Sequence, residues 1–166
     1  VRQILLYPAA FVVQRKHTDA AGVHHAEQRS LAGESWSEGQ VILSWQDVLQ
    51  GAADAHDGRN VVIHEFAHQL DQENGQAIGA PLPLPGDADH HPARWKAVFT
   101  AAYERLQGEA FMHEQVLLDH YGAQDPAEFF SVATEAFFEQ GAALRSYDAA
   151  LYRELQGYFK VHPSTW

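Results

Sequence analysis

The stretch VVIHEFAHQLDQENG, residues 61–75, places Glu65 directly after His64 and a second histidine, His68, four residues after the first. Residues at this spacing lie on one face of a helix, about 6 Å apart, so both imidazole rings can bind the same metal ion. The apolar residues around the histidines follow the helical period. The stretch therefore predicts a helix that carries two metal ligands.

The position of Glu65 indicates catalysis. On the predicted helix it lies one residue further round, beside the metal rather than on it. Zinc with an open coordination position lowers the pKa of its bound water to ~7, and a neighbouring carboxylate can then accept the proton. A zinc ion with a purely structural role needs only its ligands and has no use for a neighbouring base such as Glu65. The alternative is an accidental spacing in a chain with 11 histidines; helix end signals at Asn60 and Gly75 favour the site.

A third metal ligand must come from elsewhere in the chain. A metzincin would have glycine at position 71 and histidine at position 74, but the chain has Asp71 and Asn74, which excludes that class. The remaining candidates are histidines of a proline-rich loop and glutamates of a later helix: His90, His91, Glu128, Glu135 and Glu139. A loop would hold a ligand poorly, so the helix is the better source.

The sequence DPAEFF, residues 125–130, is a strong helix start, with aspartate at the cap, proline at the first position and glutamate at the third. Apolar neighbours predict that this helix is largely buried, and a buried carboxylate needs a partner such as a metal. By itself Glu128 fits a capping box. Together with the histidine pair, the pattern favours Glu128 as the third ligand.

Composition and charge limit the classes of function. With 166 residues, 46% of them apolar and 20% charged, the chain is expected to form one soluble domain over residues 1–166. No apolar run approaches 18 residues, so no membrane span is expected. The net charge of −11, with scattered lysine and arginine, argues against direct nucleic-acid binding. The absence of cysteine excludes disulfides and fits a cytoplasmic protein.

Apolar periodicity and turn residues predict an α+β fold with two or three strands and about five helices. The predicted strands are residues 1–15, interrupted at Pro8, and 40–45, with a loop over 17–33. The predicted helices begin at Ser44 or Asp47, Asn60, Pro92, Asp125 and Asp148, and those from Asp125 and Asp148 end at Gly141 and Phe159. Residues 76–91, with three prolines and two glycines, predict an ordered surface loop.

Four pieces of the chain closely resemble the Mlc titration factor A family of zinc metallopeptidases. They are YPAAFVV, GESWSEGQVILSW, IHEFAHQLDQENG and LLDHYGAQDPAEFFSVATEAFFE, and the resemblance covers nearly the whole chain. The His-Glu-Phe-x-His and Tyr-Gly…Glu-Phe-Phe pieces are also similar to the catalytic domain of anthrax lethal factor. The resemblance implies a zincin-like fold, with the two-histidine helix under a small mixed sheet. It further implies one zinc ion on His64, His68 and Glu128, Glu65 as the catalytic base, and Tyr121 as the residue that assists the transition state.

The resemblance also implies a function, a zinc-dependent peptidase of the gluzincin type with aminopeptidase-like action on short peptide substrates. The alternative from another class is a binding protein that sequesters a glucose-responsive transcriptional repressor, a role linked to the same family. Family members usually carry an N-terminal segment before the YPAAFVV region, and this segment is expected to be absent here.

Two features near the site have a catalytic and a plain interpretation. Tyr121 precedes Gly122 in a turn, where it can donate to a developing oxyanion or simply pack. The strand QVILSW, residues 40–45, can form a sheet edge to which an extended peptide adds, or a core strand. The sequence does not separate these alternatives.

Two further carboxylates can orient the predicted histidine ligands by hydrogen bonds without binding the metal themselves. Asp71, three residues after His68, can orient a histidine ring or lie solvated at the helix end. Glu135 can hold one of the two histidines by a hydrogen bond, or pair with an arginine such as Arg145. Both alternatives stay open at this point.

Overall fold

In the residues that the computed structural model describes, 1–18, 24–36, 38–83 and 91–166, five strands lie within the first 44. In chain order they are β1 (Gln3–Tyr7), β2 (Phe11–Thr18), β3 (His24–Leu31), β4 (Gly33–Trp36) and β5 (Gln40–Ser44). One sheet has the order β1-β5-β4, with β5 parallel to β1 and antiparallel to β4. β2 and β3 pair as a separate antiparallel hairpin.

The strand prediction is partly wrong. Residues 1–15 are two strands rather than one, because the chain between β1 and β2, which includes Pro8, leads from one sheet to the other. Proline has no N–H for a sheet ladder, so it separates the two strands. Residues 17–33 are not simply loop, since they include β3; residues 19–23 lie outside the described part. Hairpin pairing depends on backbone hydrogen bonds, which a polar composition does not reveal.

The strand predicted at residues 40–45 is β5, which ends at Ser44; it is a core strand, and its interpretation as a sheet edge is wrong. β5 pairs on both sides, with β1 and with β4. Val41 is fully buried and Leu43 is 3% exposed. A strand enclosed in this way reads as a continuous apolar run, as this one does. The edge strand that lies against the histidine helix is β4.

Six α-helices follow in the described part of the chain. They are α1 (Trp45–Ala53), α2 (Val61–Asp71), α3 (Pro92–Phe111), α4 (Pro126–Glu139), α5 (Gly141–Tyr147) and α6 (Ala149–Phe159). The side chain of the residue before each of α1, α2, α4 and α6 accepts a first-turn backbone N–H, as the cap residues Ser44, Asn60, Asp125 and Asp148 predict. The mixture of elements confirms the predicted α+β class.

Two predicted helix ends differ from the structure. α2 ends at Asp71 and continues as a 3₁₀ turn over Gln72–Asn74 before Gly75, and α4 ends at Glu139 instead of running to Gly141, which begins the separate helix α5. The chain bends there because Gly141 lies tightly against the C-terminal segment: an added Cβ would lie 2.8 Å from backbone atoms of Pro163 and Ser164. Only glycine permits this approach.

The predicted surface loop is described in part. Residues 76–83 contain no regular helix or strand, as expected, while residues 84–90 lie outside the described part. His90, one of the possible third ligands, belongs to the latter.

α4 is largely buried and organises the core. Phe129, Phe130 and Phe137 are each at most 1% exposed, and burying one phenylalanine stabilises the fold by about 1.5–3 kcal/mol. They pack with aromatic residues of α3 and α6, among them Trp95, Phe99 and Tyr158. This packing fixes the rotation of α4 about its axis. The opposite face of α4 lies against α2.

No helix in the described residues has the length and apolar composition needed to cross a bilayer.

Candidate metal centre

Three side chains from two helices meet at one point. Nε2 of His64 lies 3.0 Å from Oε2 of Glu128, and Nε2 of His68 lies 3.3 Å from the same oxygen. The histidines come from one face of α2 and the glutamate from the first turn of α4. One ligand-type atom from each residue lies within 4.8 Å of the others. The structure thus brings together the two histidines and the predicted third ligand.

The donor set fits a zinc ion. Ligand atoms held in a tetrahedron at ~2.0–2.1 Å from zinc are roughly 3.3 Å apart, close to the two distances observed here. Two imidazole nitrogens and one carboxylate leave a fourth position for water or substrate, as in catalytic zinc sites. Within the described residues, this is the one group of three such side chains at this distance.

The other candidate ligands lie elsewhere. Glu135 contacts the opposite nitrogen of His64, with Oε1 2.7 Å from Nδ1. Glu139 accepts a hydrogen bond from Asn60. His91 is the exposed residue before α3. Of the described candidates, Glu128 is therefore the one that faces both Nε2 atoms.

The centre attracts positive charge strongly. Burial acts to lower the pKa of His64, but hydrogen bonds to Glu128 and Glu135 outweigh it and raise the pKa to about 10. Burial acts to raise the pKa of Glu128, but both histidines outweigh it and lower that pKa to about 2. A divalent cation bound at Nε2 of His64 would replace a proton there, because a metal ligand must be deprotonated.

Glu65 lies beside these ligands and is 6% exposed. Burial raises the pKa of Glu65 to about 7, although His64 and His68 oppose the shift. Gly33, at the start of β4, lies directly against this side chain. A Cβ added at Gly33 would lie 2.5 Å from Cγ and Oε1 of Glu65, so only glycine leaves room for the carboxylate in its present position.

Glu135 links α4 to the first histidine. Besides the contact with His64, its Oε2 accepts the backbone N–H of Asn60 at 2.6 Å. The side chain is buried, whereas Arg145, its alternative partner, is exposed. The arrangement is a carboxylate on the far nitrogen of a candidate ligand histidine, and such a contact fixes the ring orientation.

Asp71 is fully buried at the end of α2 and anchors the following loop. Its two carboxylate oxygens accept the backbone N–H groups of Gly79 and Ala80 at 2.7 and 2.8 Å. The alternative of a solvated helix end is therefore wrong. Orientation of a histidine ring by Asp71 stays a prediction.

Tyr121 lies at the rim of the centre and is 39% exposed. Its hydroxyl is 3.4 Å from Oε1 of Glu128, and its ring centroid is 5.9 Å from that of His64. Asp119 holds this turn by accepting the backbone N–H of Tyr121 at 2.9 Å. The tyrosine hydroxyl thus lies beside the predicted metal ligands and is open to solvent.

Two cavities open onto the centre. One, of about 390 Å³, extends towards the beginning of α2 and includes Asp47 and Asn60 in its wall. The other, of about 320 Å³, extends towards the end of α2 and includes Gln72 and Asp125. Both share a wall formed by Leu31, Gly33, His64, Glu65 and Tyr121. There is therefore open space on both sides of Glu65.

Sequence reasoning missed Gly33, and it recognised Asn60 only as a helix cap. No spacing along the chain shows that Gly33 lies against Glu65, because the two are on different elements. The sequence does give a partial indication that Glu135 and Glu139 approach the same helix. Glu128, Glu135 and Glu139 are separated by seven and four residues and therefore lie on one face of α4.

The α+β fold and a His-His-Glu group beside a buried glutamate define a candidate metal centre of the kind that metallopeptidases use. The chain belongs to the glucose-regulated metallo-peptidase M90 family, whose profile matches residues 1–160. This confirms the resemblance on which the family expectation was based.

Named relatives support the same assignment. Mlc titration factor A of Serratia proteamaculans is 39% identical over 164 residues, and that of Yersinia enterocolitica is 36% identical over 163; each match covers 97% of this chain. An uncharacterized protein of Synechocystis is 38% identical over 161 residues, or 96% of the chain. These matches cover 60%, 59% and 58% of the relatives, so the chain spans well under two thirds of their length.

Proposed function

We propose that this chain is a zinc-dependent peptidase with a zincin-like fold, of the gluzincin type, in which His64, His68 and Glu128 hold one zinc ion. The observation that carries the proposal is the meeting of both Nε2 atoms on one oxygen of Glu128, with the buried Glu65 beside them. Family membership supports the same function. We place the activity in a single catalytic domain over residues 1–166 of a cytoplasmic protein.

The proposed roles of the side chains follow from their positions. Zinc, when bound, would supply Lewis acidity that activates water and polarises the scissile carbonyl. Glu65 accepts a proton from the attacking water while the water oxygen bonds to the carbonyl carbon. Glu65 then passes that proton to the amine nitrogen as the carbon–nitrogen bond breaks. The Tyr121 hydroxyl donates a hydrogen bond to the developing oxyanion. Glu135 holds the His64 ring through Nδ1.

The proposed substrate is a peptide in extended conformation. β4 is the edge strand beside the centre and begins at Gly33, so its backbone can pair with a substrate strand. The two cavities would then take the residues on either side of the scissile bond. Aminopeptidase-like action on short peptides is part of the proposal, because the family resemblance implies it.

Turnover of a fluorogenic peptide panel tests the proposal. Protein loaded with one equivalent of zinc is expected to cleave members of the panel, to lose activity when a chelator removes the metal, and to regain it when zinc is restored. The panel should pair free with blocked N-termini, since preference for a free amine supports aminopeptidase-like action. Stoichiometric zinc without cleavage of any peptide would refute the peptidase function.

Replacement of Gly33 by alanine is expected to lower kcat by about 100-fold, because a shift of roughly 1 Å in a catalytic group can have that effect. The added Cβ would displace the Glu65 carboxylate, which lies 2.5 Å from its position. Zinc content should not change, because this Cβ lies against Glu65 rather than a metal ligand. Steady-state kinetics and metal analysis measure both quantities.

Gly108→Ala is the matched control for that experiment. Gly108 lies inside α3, and an added Cβ meets no atom within 4 Å. Alanine is favoured over glycine within a helix by about 1 kcal/mol, so stability should hold or rise and kcat should stay the same. Equal kcat for Gly33→Ala and Gly108→Ala would show that the position of Glu65 does not depend on Gly33.

A second candidate function is binding of a glucose-responsive transcriptional repressor. It is favoured by the name of relatives at 36–39% identity, Mlc titration factor A. Catalysis and binding can coexist in one chain. Titration of the purified protein with Mlc distinguishes them, since binding without turnover would make repressor sequestration the main function.

A further inference from the structure

Asn60 makes more contacts than a helix cap requires. Its Oδ1 accepts the backbone N–H groups of Val62 and Ile63 at 3.1 and 3.2 Å, which is the capping interaction. In addition, its backbone N–H donates to Glu135 and its Nδ2 donates to Oε1 of Glu139 at 2.9 Å. The first residue before α2 is therefore bound twice by α4.

Glu135 transmits this attachment to the candidate metal centre. One of its oxygens binds the backbone of Asn60 and the other binds Nδ1 of His64. A shift of Asn60 would therefore move the carboxylate that orients the ring. Since Nδ1 is held by Glu135, Nε2 is the nitrogen directed at Glu128.

Glu139 is half-buried, and its Oε2 is enclosed by the protein. Burial raises the pKa of Glu139, and the nearby Asp57 and Glu135 raise it further, although hydrogen bonds from the Asn60 amide and from the backbone of Arg59 oppose them. What Glu139 provides is its bond to Nδ2, which turns the Asn60 amide so that Oδ1 faces the helix.

Helix α1 holds Asn60 from the other side. A Cβ added at the buried Gly51 would lie 3.3 Å from Cα of Asn60 and from the carbonyl oxygen of Arg59. Asn60 thus lies between α1 and α4 with little freedom to move.

We propose that Asn60, Glu135 and Glu139 form a clamp that positions His64 for metal binding, with Asn60 and Glu139 as positioning residues that do not bind the metal. The clamp joins the helix that carries two ligands to the helix that carries the third. It rests on the metal site of the proposed function but does not depend on peptide cleavage.

The affinity for zinc, measured by competition with a chromophoric chelator, tests the clamp. Asn60→Asp keeps a good cap residue but replaces the donor that faces Glu139 with an oxygen. We expect the Kd for zinc to rise by about 10–100-fold, the effect of losing a partner outside the ligand shell. Glu139→Ala removes the acceptor without touching the cap, and is expected to raise the Kd in the same direction.

A reversal of the hydrogen bond separates positioning from general stability. In the double variant Asn60→Asp with Glu139→Gln, the new amide donates to the new carboxylate, and the Kd should return to within a few-fold of the wild-type value. Asp148→Ala, which removes the side-chain cap of the distant α6, is the control: it should lower the Tm without changing the Kd.

Three results would overturn the clamp. They are an unchanged Kd in both single variants, a double variant with no recovery although its metal-free Tm equals that of the wild type, and failure of the wild type to bind zinc. Clamp-dependent zinc binding without cleavage of any peptide would support the clamp and refute the peptidase function alone.

Discussion

Glu65→Gln is expected to lower the rate of peptide cleavage by about 10³-fold while leaving one zinc per chain. General acid–base catalysis contributes about 10²–10⁴-fold, and an amide of the same size can neither accept the proton of water nor deliver it to the leaving amine. The zinc content should persist because His64, His68 and Glu128 are unchanged. Rates on the fluorogenic panel and metal analysis of the same preparation give the result.

Glu73→Gln is the matched control. Glu73 follows α2 in the same segment and is exposed, outside the wall of either cavity at the centre. Its substitution should change neither rate nor zinc content. If Glu65→Gln cleaves peptides as fast as the wild type and Glu73→Gln, Glu65 is not the base and the proposed mechanism is wrong.

Glu128→Ala is expected to weaken zinc binding strongly. The loss should exceed that caused by removing a residue that only hydrogen-bonds to a ligand, which is about 10–100-fold. The reason is that, among the described residues, Glu128 supplies the oxygen that faces both Nε2 atoms. The start of α4 should survive, since Asp125 caps it through the backbone N–H groups of Ala127 and Glu128, which alanine retains. Zinc content after dialysis and a competition titration measure the change.

Glu104→Ala, an exposed glutamate within α3, is the control for loss of a helical glutamate. The unfolding transition of both variants shows whether any loss of metal comes from loss of fold. Full zinc occupancy in Glu128→Ala would assign the third ligand to another residue, such as Glu135 or a histidine.

Features that depend on neighbouring residues were predictable. The starts of α1, α2, α4 and α6 follow from their cap residues, because a cap bonds to N–H groups two or three positions away. Pairing of strands was not predictable in the same way. The parallel pairing of β1 with β5 joins Gln3 to Gln40, 37 residues apart, and the hairpin of β2 and β3 has no apolar alternation to reveal it.

In the candidate centre, too, some features follow from local spacing in the sequence and others from tertiary packing. His64 and His68 face one way because the α-helix repeats every 3.6 residues, so the sequence by itself determined both the pair and the glutamate beside it. That Glu128 meets them 60 residues further on was expected, but the meeting depends on how the buried phenylalanines orient α4 against α2. The space that Gly33 leaves for Glu65, and the clamp on Asn60, were decided only by the tertiary structure. Both are contacts between elements distant in the chain, whose approach is set by packing of the core rather than by any local spacing.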